Sequence, residues 1–362
     1  MDSKKYNNTK LGLSISKGIL TFILLFILVS TNLSRELVSI WSNYSSNNYI
    51  LFLLFVFSIG MIFSIIFSPL NYYSDFYLEH KYNLSNQTFI KWIWEGLKAL
   101  LVSLVIGTPI LIFLFYTLNK YENLWWLPFA ILLFIVSVVL ARIVPTLILP
   151  LFYKIIPIEN EELKLRINKL AENAGVKVEN IYSFDMSKNT KKANAAFTGL
   201  GKSKRIILGD TLLNNFSLDE IETVIAHELG HYKKKHILKN IIIGTISSFL
   251  TLFLIALLYD NSLSYFNFSE RTLIAAFPLL TIWAMIIGLI QLPLSNMLSR
   301  KFEYEADNYS ISVTKKPQVF ADALNKLNKQ NLGDENPHPF VEWYFYSHPS
   351  VPKRIKKMEM SL

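Results

Sequence analysis

The sequence predicts an α-helical polytopic membrane protein with a small α+β part in water. Three observations carry this: six long apolar runs, a shortage of charged residues, and two polar stretches that hold most of the reactive side chains. Of 362 residues, 52% are hydrophobic and 17% charged, where a soluble domain carries about a quarter charged. The runs lie near Ile19–Leu33, Tyr49–Phe67, Leu97–Leu118, Trp125–Leu149, Ile237–Tyr259 and Thr272–Leu294. Most approach the roughly 20 residues with which a helix crosses about 30 Å of hydrocarbon. The first is the shortest. Lys4, Lys5 and Lys10 ahead of it would suit a cleaved leader, but no small-x-small site follows.

Composition also excludes. With no cysteine, disulfide scaffolds, thiolate zinc sites, Fe–S clusters and cysteine nucleophiles are ruled out. The apolar content is too high for disorder, and no Gly or Pro period marks a fibre. A net charge of +9 reads here as loops facing anionic lipid, so the bilayer and not nucleic acid is the expected partner. Lys and Arg gather before the first run, between the second and third, between the fourth and fifth, and after the sixth. The other connections hold about one each: Arg35, Lys120 and Arg271. By the positive-inside bias, both termini and both large polar segments face the cytosol.

The expected organisation follows. Residues 1–153 form a membrane part of four spans, 154–236 a first cytosolic segment, 237–294 two further spans, and 295–362 a second cytosolic segment. In the first, Glu161–Ala174 is helical and ends at Gly175. A strand-like run covers Asn180–Met186. Ala193–Thr198 and Lys204–Gly209 flank Gly199-Leu200-Gly201 as a hairpin. The second segment reads as helical at both ends, with a Pro- and aromatic-rich loop between. Neither is large enough for a comfortable core of its own, so the two are expected to pack together against the spans.

The chemistry begins at Ser217. Ser217 and Glu220 have capping-box spacing, and Phe216 with Ile221 that of the hydrophobic staple, so a helix starts at about Leu218. It carries His227-Glu228-Leu229-Gly230-His231. Residues four apart share a helix face, about 6 Å apart along the axis. Two imidazoles so placed converge on one zinc ion, and Glu228 reaches a water beside it without being a ligand. The helix is expected to run on through Lys233–Lys235 into the fifth span, which puts the site at the cytosolic mouth of the membrane.

A third ligand is needed. The local pattern of the metzincins is absent, since Lys234 and Ile237 stand at its Gly and final His positions. His236 is one residue out of register and reads as an interfacial or solvated side chain. The other source is Glu303 or Asp307, four apart just beyond the sixth run. One would bind the ion while the other hydrogen-bonds a ligand imidazole; on spacing alone the pair could equally be a solvated helix face. Asn194 reads as a strand residue on a free edge or as a turn residue beside Lys191 and Lys192. His348, held extended before Pro349, reads as an oxyanion donor or as a satisfied loop histidine. His80, His338 and Arg142 have no assignment.

With these residues in place, the chain resembles the type-I CAAX prenyl endopeptidases, integral-membrane zinc metalloproteases of the gluzincin type. The likeness rests on His227–His231 and on Ser299-Arg300-Lys301-Phe302-Glu303-Tyr304-Glu305-Ala306-Asp307. It rests further on Asn194-Ala195-Ala196-Phe197-Thr198-Gly199, on Ser347-His348-Pro349-Ser350 with Arg354, and on Asn71–Phe76 through Gln87-Thr88. The resemblance implies one Zn²⁺ held by His227, His231 and Glu303, with Glu228 as general base. It makes Asp307 a supporting or proton-donating acid. Asn194 and Ala195 would bind substrate backbone, and His348 and Arg354 would line the reaction centre. It implies a chamber walled by transmembrane helices, and removal of the last three residues from a protein ending in a prenylated cysteine. Family members usually have seven spans; six are counted here, with one fewer before Asn71.

Two other readings stand beside it. A heat-shock-type membrane metalloprotease for quality control shares the zinc motifs but not the Ser347–Arg354 and Asn71 segments. A metal-binding transporter or scaffold would need ionisable residues in the spans, which are few. The expected location is the inner membrane of a prokaryote or the endoplasmic reticulum of a eukaryote. In this cysteine-free chain, Lys120→Cys should react with a membrane-impermeant maleimide from outside intact cells, and Glu159→Cys only after permeabilisation. The opposite pattern would invert the topology.

Overall fold

The structure, a computed structural model, describes residues 2–175, 180–198 and 205–360. Among the described residues, six helical segments are long and apolar enough to cross a membrane: Asp2–Ser30, Asn48–Lys81, Phe89–Lys120, Glu122–Phe152, His236–Ser262 and Ile274–Thr314. The chain opens with α1 (Asp2–Ser30), the short α2 (Leu33–Ser42) and α3 (Asn48–Asn71). A π-helical stretch, Tyr72–Tyr77, leads from α3 into the single turn α4 (Leu78–Lys81). α5 (Phe89–Lys120) follows, then α6 (Trp126–Ile143), a second π-helical stretch and α7 (Leu149–Phe152).

Side-chain oxygens of Asn47 and Thr88 cap the starts of α3 and α5. Phe52, Phe55, Phe115, Trp125 and Tyr259 are buried where the helices meet. Val105 and Ile246 are among many apolar side chains left exposed on the outer faces, an arrangement suited to lipid and unsuited to water.

α1 starts well before the apolar run. Its polar first turns reach the catalytic part, where Asn7 Nδ2 donates to Leu332 O at 2.7 Å, and Tyr6 donates to Glu79 of α4 at 2.5 Å. Lys10 and Lys192 each lie 3.0 Å from Glu79. The segment just after α4 docks beside them. Ser85 bridges to Thr190, Asn86 donates to Ser187 O at 2.7 Å, and Lys191 N donates to Leu84 O at 2.8 Å.

The catalytic part holds β1 (Ile155–Pro157), α8 (Glu161–Asn173), β2 (Asn180–Phe184), β3 (Ala195–Thr198) and β4 (Arg205–Gly209). Asn160 caps α8 and Gly175, at φ +71°, stops it as expected. The sheet runs β1-β2-β4-β3, with β2 parallel to β4 and the outer pairs antiparallel. The expected pairing of β3 with β4 is present, Ala195 opposite Leu208; the turn expected at Gly199-Leu200-Gly201 lies outside the described residues. β3 is an edge strand.

Next come α9 (Asp210–Asn215) and α10 (Leu218–Lys233). Both halves of the capping box form: Ser217 Oγ accepts from Glu220 N at 3.3 Å, and Glu220 accepts from Ser217 N at 2.7 Å. Phe216 and Ile221 are buried in one cluster with Ile167, Leu208, Ile225 and Leu229, which ties α10 to the sheet. The expected continuity of α10 with the fifth span fails. Lys234 ends the helix and Lys235 sits at φ +57°. A left-handed residue cannot continue a right-handed helix, so α11 (His236–Ser262) sets off in a new direction.

α12 (Pro278–Thr314) does run unbroken. At 37 residues it is about 55 Å long, well beyond the hydrocarbon thickness, and its far end belongs to the catalytic part. α13 (Pro317–Gln330), α14 (Pro339–Phe345) and α15 (Val351–Glu359) close the chain.

α10 lies directly on the end of α12. A Cβ at Gly230 would stand 3.0 Å from both Cα and O of Ala306 and 3.1 Å from Tyr309 Cβ. Ser310 Oγ donates to Thr223 O across the same seam at 2.7 Å. Gly230→Ala must push the two backbones apart. We expect it to cost about 1–3 kcal/mol in thermal unfolding and to lower metal content; unchanged melting would show that the contact is not tight.

Candidate metal centre

α10 presents His227 and His231 one turn apart, and α12 presents Glu303 and Asp307 one turn apart, so the seam brings two imidazoles to two carboxylates. His231 Nε2 is 3.2 Å from His227 Nε2 and 3.3 Å from Glu303 Oε1. Glu303 Oε2 is 3.5 Å from His227 Nε2. One nitrogen from each imidazole and one carboxylate oxygen lie within 4.8 Å of one another. Tetrahedral ligands with bonds of about 2.0 Å stand about 3.3 Å apart, so the spacing fits a small divalent ion.

Two observations favour a cation there. Glu303 Oε2 is a buried oxygen without a hydrogen-bond partner; Arg354 Nη1, at 3.5 Å, approaches without bonding it. And although burial favours the neutral imidazole, the contacts of His227 with Asp307 and Glu303 prevail and hold it up at about 9. The pocket is built for positive charge, which a metal ion would supply in place of the proton.

Asp307 and Glu303 divide the work. Asp307 Oδ1 is 2.8 Å from His227 Nδ1, so that ring donates its Nδ1 proton backwards and turns Nε2 towards Glu303. Asp307 is buried and is not part of the cavity wall. Its role as a proton donor to substrate is therefore disfavoured against a supporting one. Arg354, also buried, donates to both Asp307 oxygens, Nε to Oδ2 at 2.9 Å and Nη2 to Oδ1 at 2.5 Å. Its guanidinium neutralises that carboxylate and also lines the cavity, with Nη1 3.5 Å from Glu303 Oε2. Such a buried pair is hard to break, since one partner removed leaves the other charge unpaired.

A cavity of about 370 Å³ opens in front, lined by Asn194, Ala195, His227, Glu228, Glu303 and His348, among others. His348 is largely exposed; its Nε2 lies 3.4 Å from Glu303 Oε1, and its Nδ1 is 2.9 Å from Ser347 Oγ. The loop carrying it is held from below. Arg300 Nη1 donates to Tyr346 O at 2.6 Å, and Glu342 accepts from Ser350 N at 3.0 Å.

β3 supplies the opposite wall. Asn194 O accepts from Gly209 N at 2.9 Å, so the main chain of Asn194 is used by β4. Strand alternation turns the main chain of Ala193 and Ala195 to the free edge. At Ala193 that edge is already taken: Asn331 accepts from its N at 2.8 Å and donates to its O at 3.1 Å. Free backbone for a peptide therefore begins at Ala195.

His236 departs from expectation. It is 2% exposed, neither solvated nor interfacial, because the chain reversal at Lys235 folds it under His231. His80 bonds to Phe76 O and Gln87 O, and His338 accepts from Phe340 N at the start of α14. Nothing in the structure explains Arg142. The supports at Glu342 and Asn331 carry no sequence signal of their own; each acts on bare backbone distant in the chain or across a loop.

Comparison with known proteins bears on this geometry. The pattern of peptidase family M48 matches residues 157–361. That of the CAAX prenyl protease N-terminal region, described as five membrane helices, matches residues 1–154; here that stretch has four long helical segments and the ten-residue α2. The chain is 35% identical over 313 residues to CAAX prenyl protease 1 of Saccharomyces cerevisiae, covering 80% of this chain and 68% of the relative. It is 29% identical over 368 residues to an uncharacterized metalloprotease of Bacillus subtilis, covering 99% and 84%. The crystal structure of Saccharomyces mikatae Ste24p superposes with a TM-score of 0.88 at 30% identity, over 99% of this chain and 88% of that one.

Glu303→Ala should lower metal affinity more than the 10–100-fold typical of losing a supporting group, measured by chelator competition. Retention of wild-type affinity would exclude Glu303 as a ligand.

Proposed function

The chain belongs to peptidase family M48, with the membrane region of the CAAX prenyl proteases, and from that membership we propose that it uses one zinc ion, held by His227, His231 and Glu303, to cleave prenylated protein C-termini at a site open to the cytosol. It is a multi-pass membrane metalloendopeptidase, and its substrate is a peptide or protein. The observation that carries the zinc assignment is the cluster of two imidazoles and one orphaned carboxylate at the seam of α10 and α12. The donor set, nitrogen and carboxylate without thiolate, suits zinc in a hydrolytic site.

Bound there, the ion would polarise the scissile carbonyl and make water acidic enough to attack near neutral pH. The protein's own groups do the rest. The free edge from Ala195 onward would pair with substrate backbone and fix the scissile bond without reading its side chains. Glu228, on the cavity wall, takes a proton from the attacking water as its oxygen bonds to the carbonyl carbon. His348 Nε2 donates towards the carbonyl oxygen as negative charge grows on it. When the C–N bond breaks, the proton held by Glu228 passes to the leaving amine.

The prenylated substrate is supported by relatives named CAAX prenyl protease 1. The cytosolic orientation is supported by the distribution of Lys and Arg among the loops. Glu228→Gln should keep its metal and lose about 10²–10⁴-fold in turnover, measured on matched farnesylated and plain peptides with and without chelator. Wild-type turnover in the variant would overturn the mechanism, and equal cleavage of both peptides would overturn the prenyl preference.

A further inference from the structure

His231 is oriented by a different device from His227. His227 meets a carboxylate directly, whereas His231 turns its Nδ1 to another imidazole: its distance from His236 Nδ1 is 2.9 Å. On the far side, His236 Nε2 is 2.9 Å from Glu305 Oε2. His236 is 2% exposed, and its ring lies flat on Phe302, with centroids 4.1 Å apart and planes 9° from parallel. Phe302 and Glu305 both stand on α12, on either side of Glu303. In an unbroken helix, residues five apart would point about 140° away from each other. The left-handed Lys235 removes that constraint and brings His236 back beneath His231.

The proton positions follow from the partners. Glu305 is an acceptor, so His236 Nε2 carries a hydrogen. A neutral His236 then has a bare Nδ1, and the short contact requires the hydrogen on His231 Nδ1. His231 is left with its lone pair on Nε2, the atom that faces His227 and Glu303. We propose that His236 and Glu305 are positioning residues that fix the tautomer and ring plane of His231 for metal binding. The inference rests on the reading of His231 as a ligand. It makes the beginning of α11 part of the metal centre, so that three helices hold a ligand set supplied by two.

The test uses the full chain in detergent, with Zn²⁺ affinity read by chelator competition and metal-free melting read alongside. His236→Phe keeps the ring on Phe302 but removes the acceptor. It should weaken Zn²⁺ binding 10–100-fold with metal-free melting unchanged. His236→Asn, whose carboxamide oxygen replaces Nδ1, should recover part of the loss. Glu305→Ala should weaken binding as well, and the His236→Phe/Glu305→Ala double variant should bind no worse than His236→Phe alone. The proposal is overturned by wild-type affinity in His236→Phe, by a loss matched in metal-free melting, or by losses that multiply in the double variant. His231→Ala separates this from the underlying reading: if that variant keeps Zn²⁺, the metal site itself is misassigned.

Discussion

The centre depends on one close approach of two backbones, at Gly230 against Ala306. Glycine there lets α10 lie on α12 nearly in van der Waals contact, and only at that separation do side chains as short as histidine and glutamate share one point. Everything around the seam reinforces it. Ser310 spans it to Thr223, and the Asp307–Arg354 pair seals its buried end while turning His227 outward. The clustering of His227, His231 and Glu303 is here a consequence of helix packing.

Much of this was legible in the residues. The spans, the capping box at Ser217 and the pair His227 and His231 are local patterns, and local patterns survive without knowledge of the fold. Glu303 and Asp307 were legible as a pair, but spacing could not divide their work. That depends on which carboxylate meets Nε2 and which meets Nδ1, a matter of how α12 is rotated against α10. The free strand at Ala195 was legible as one of two readings, and its limit at Ala193 was not, because Asn331 lies 138 residues away.

His236 shows why the rest was hidden. Counting along a continuous helix puts it out of register with the motif, and that count is sound for a helix. Lys235 adopts a conformation that lysine seldom takes and that no neighbouring residue announces. One unusual backbone angle thus moved a histidine from the expected surface into a buried chain of imidazoles. The membrane signature near Asn71 has a similar lesson: its following segment, Leu84 to Asn86, builds the dock for residues 186–192 and so steadies the approach to β3.

α12 has one more consequence. One continuous helix, with Pro293 in its interior, joins the apolar residues from Pro278 onward to Glu303 and Asp307, so both carboxylates are carried on the end of a stem long and apolar enough to cross a membrane. No cut along that rod yields a free-standing soluble protease: severed above the acids it discards them, and severed below it strips away the stem that aims them. The stem is therefore a working part of the blade's handle, and the enzyme is indivisible at the one place where its two halves look most separable.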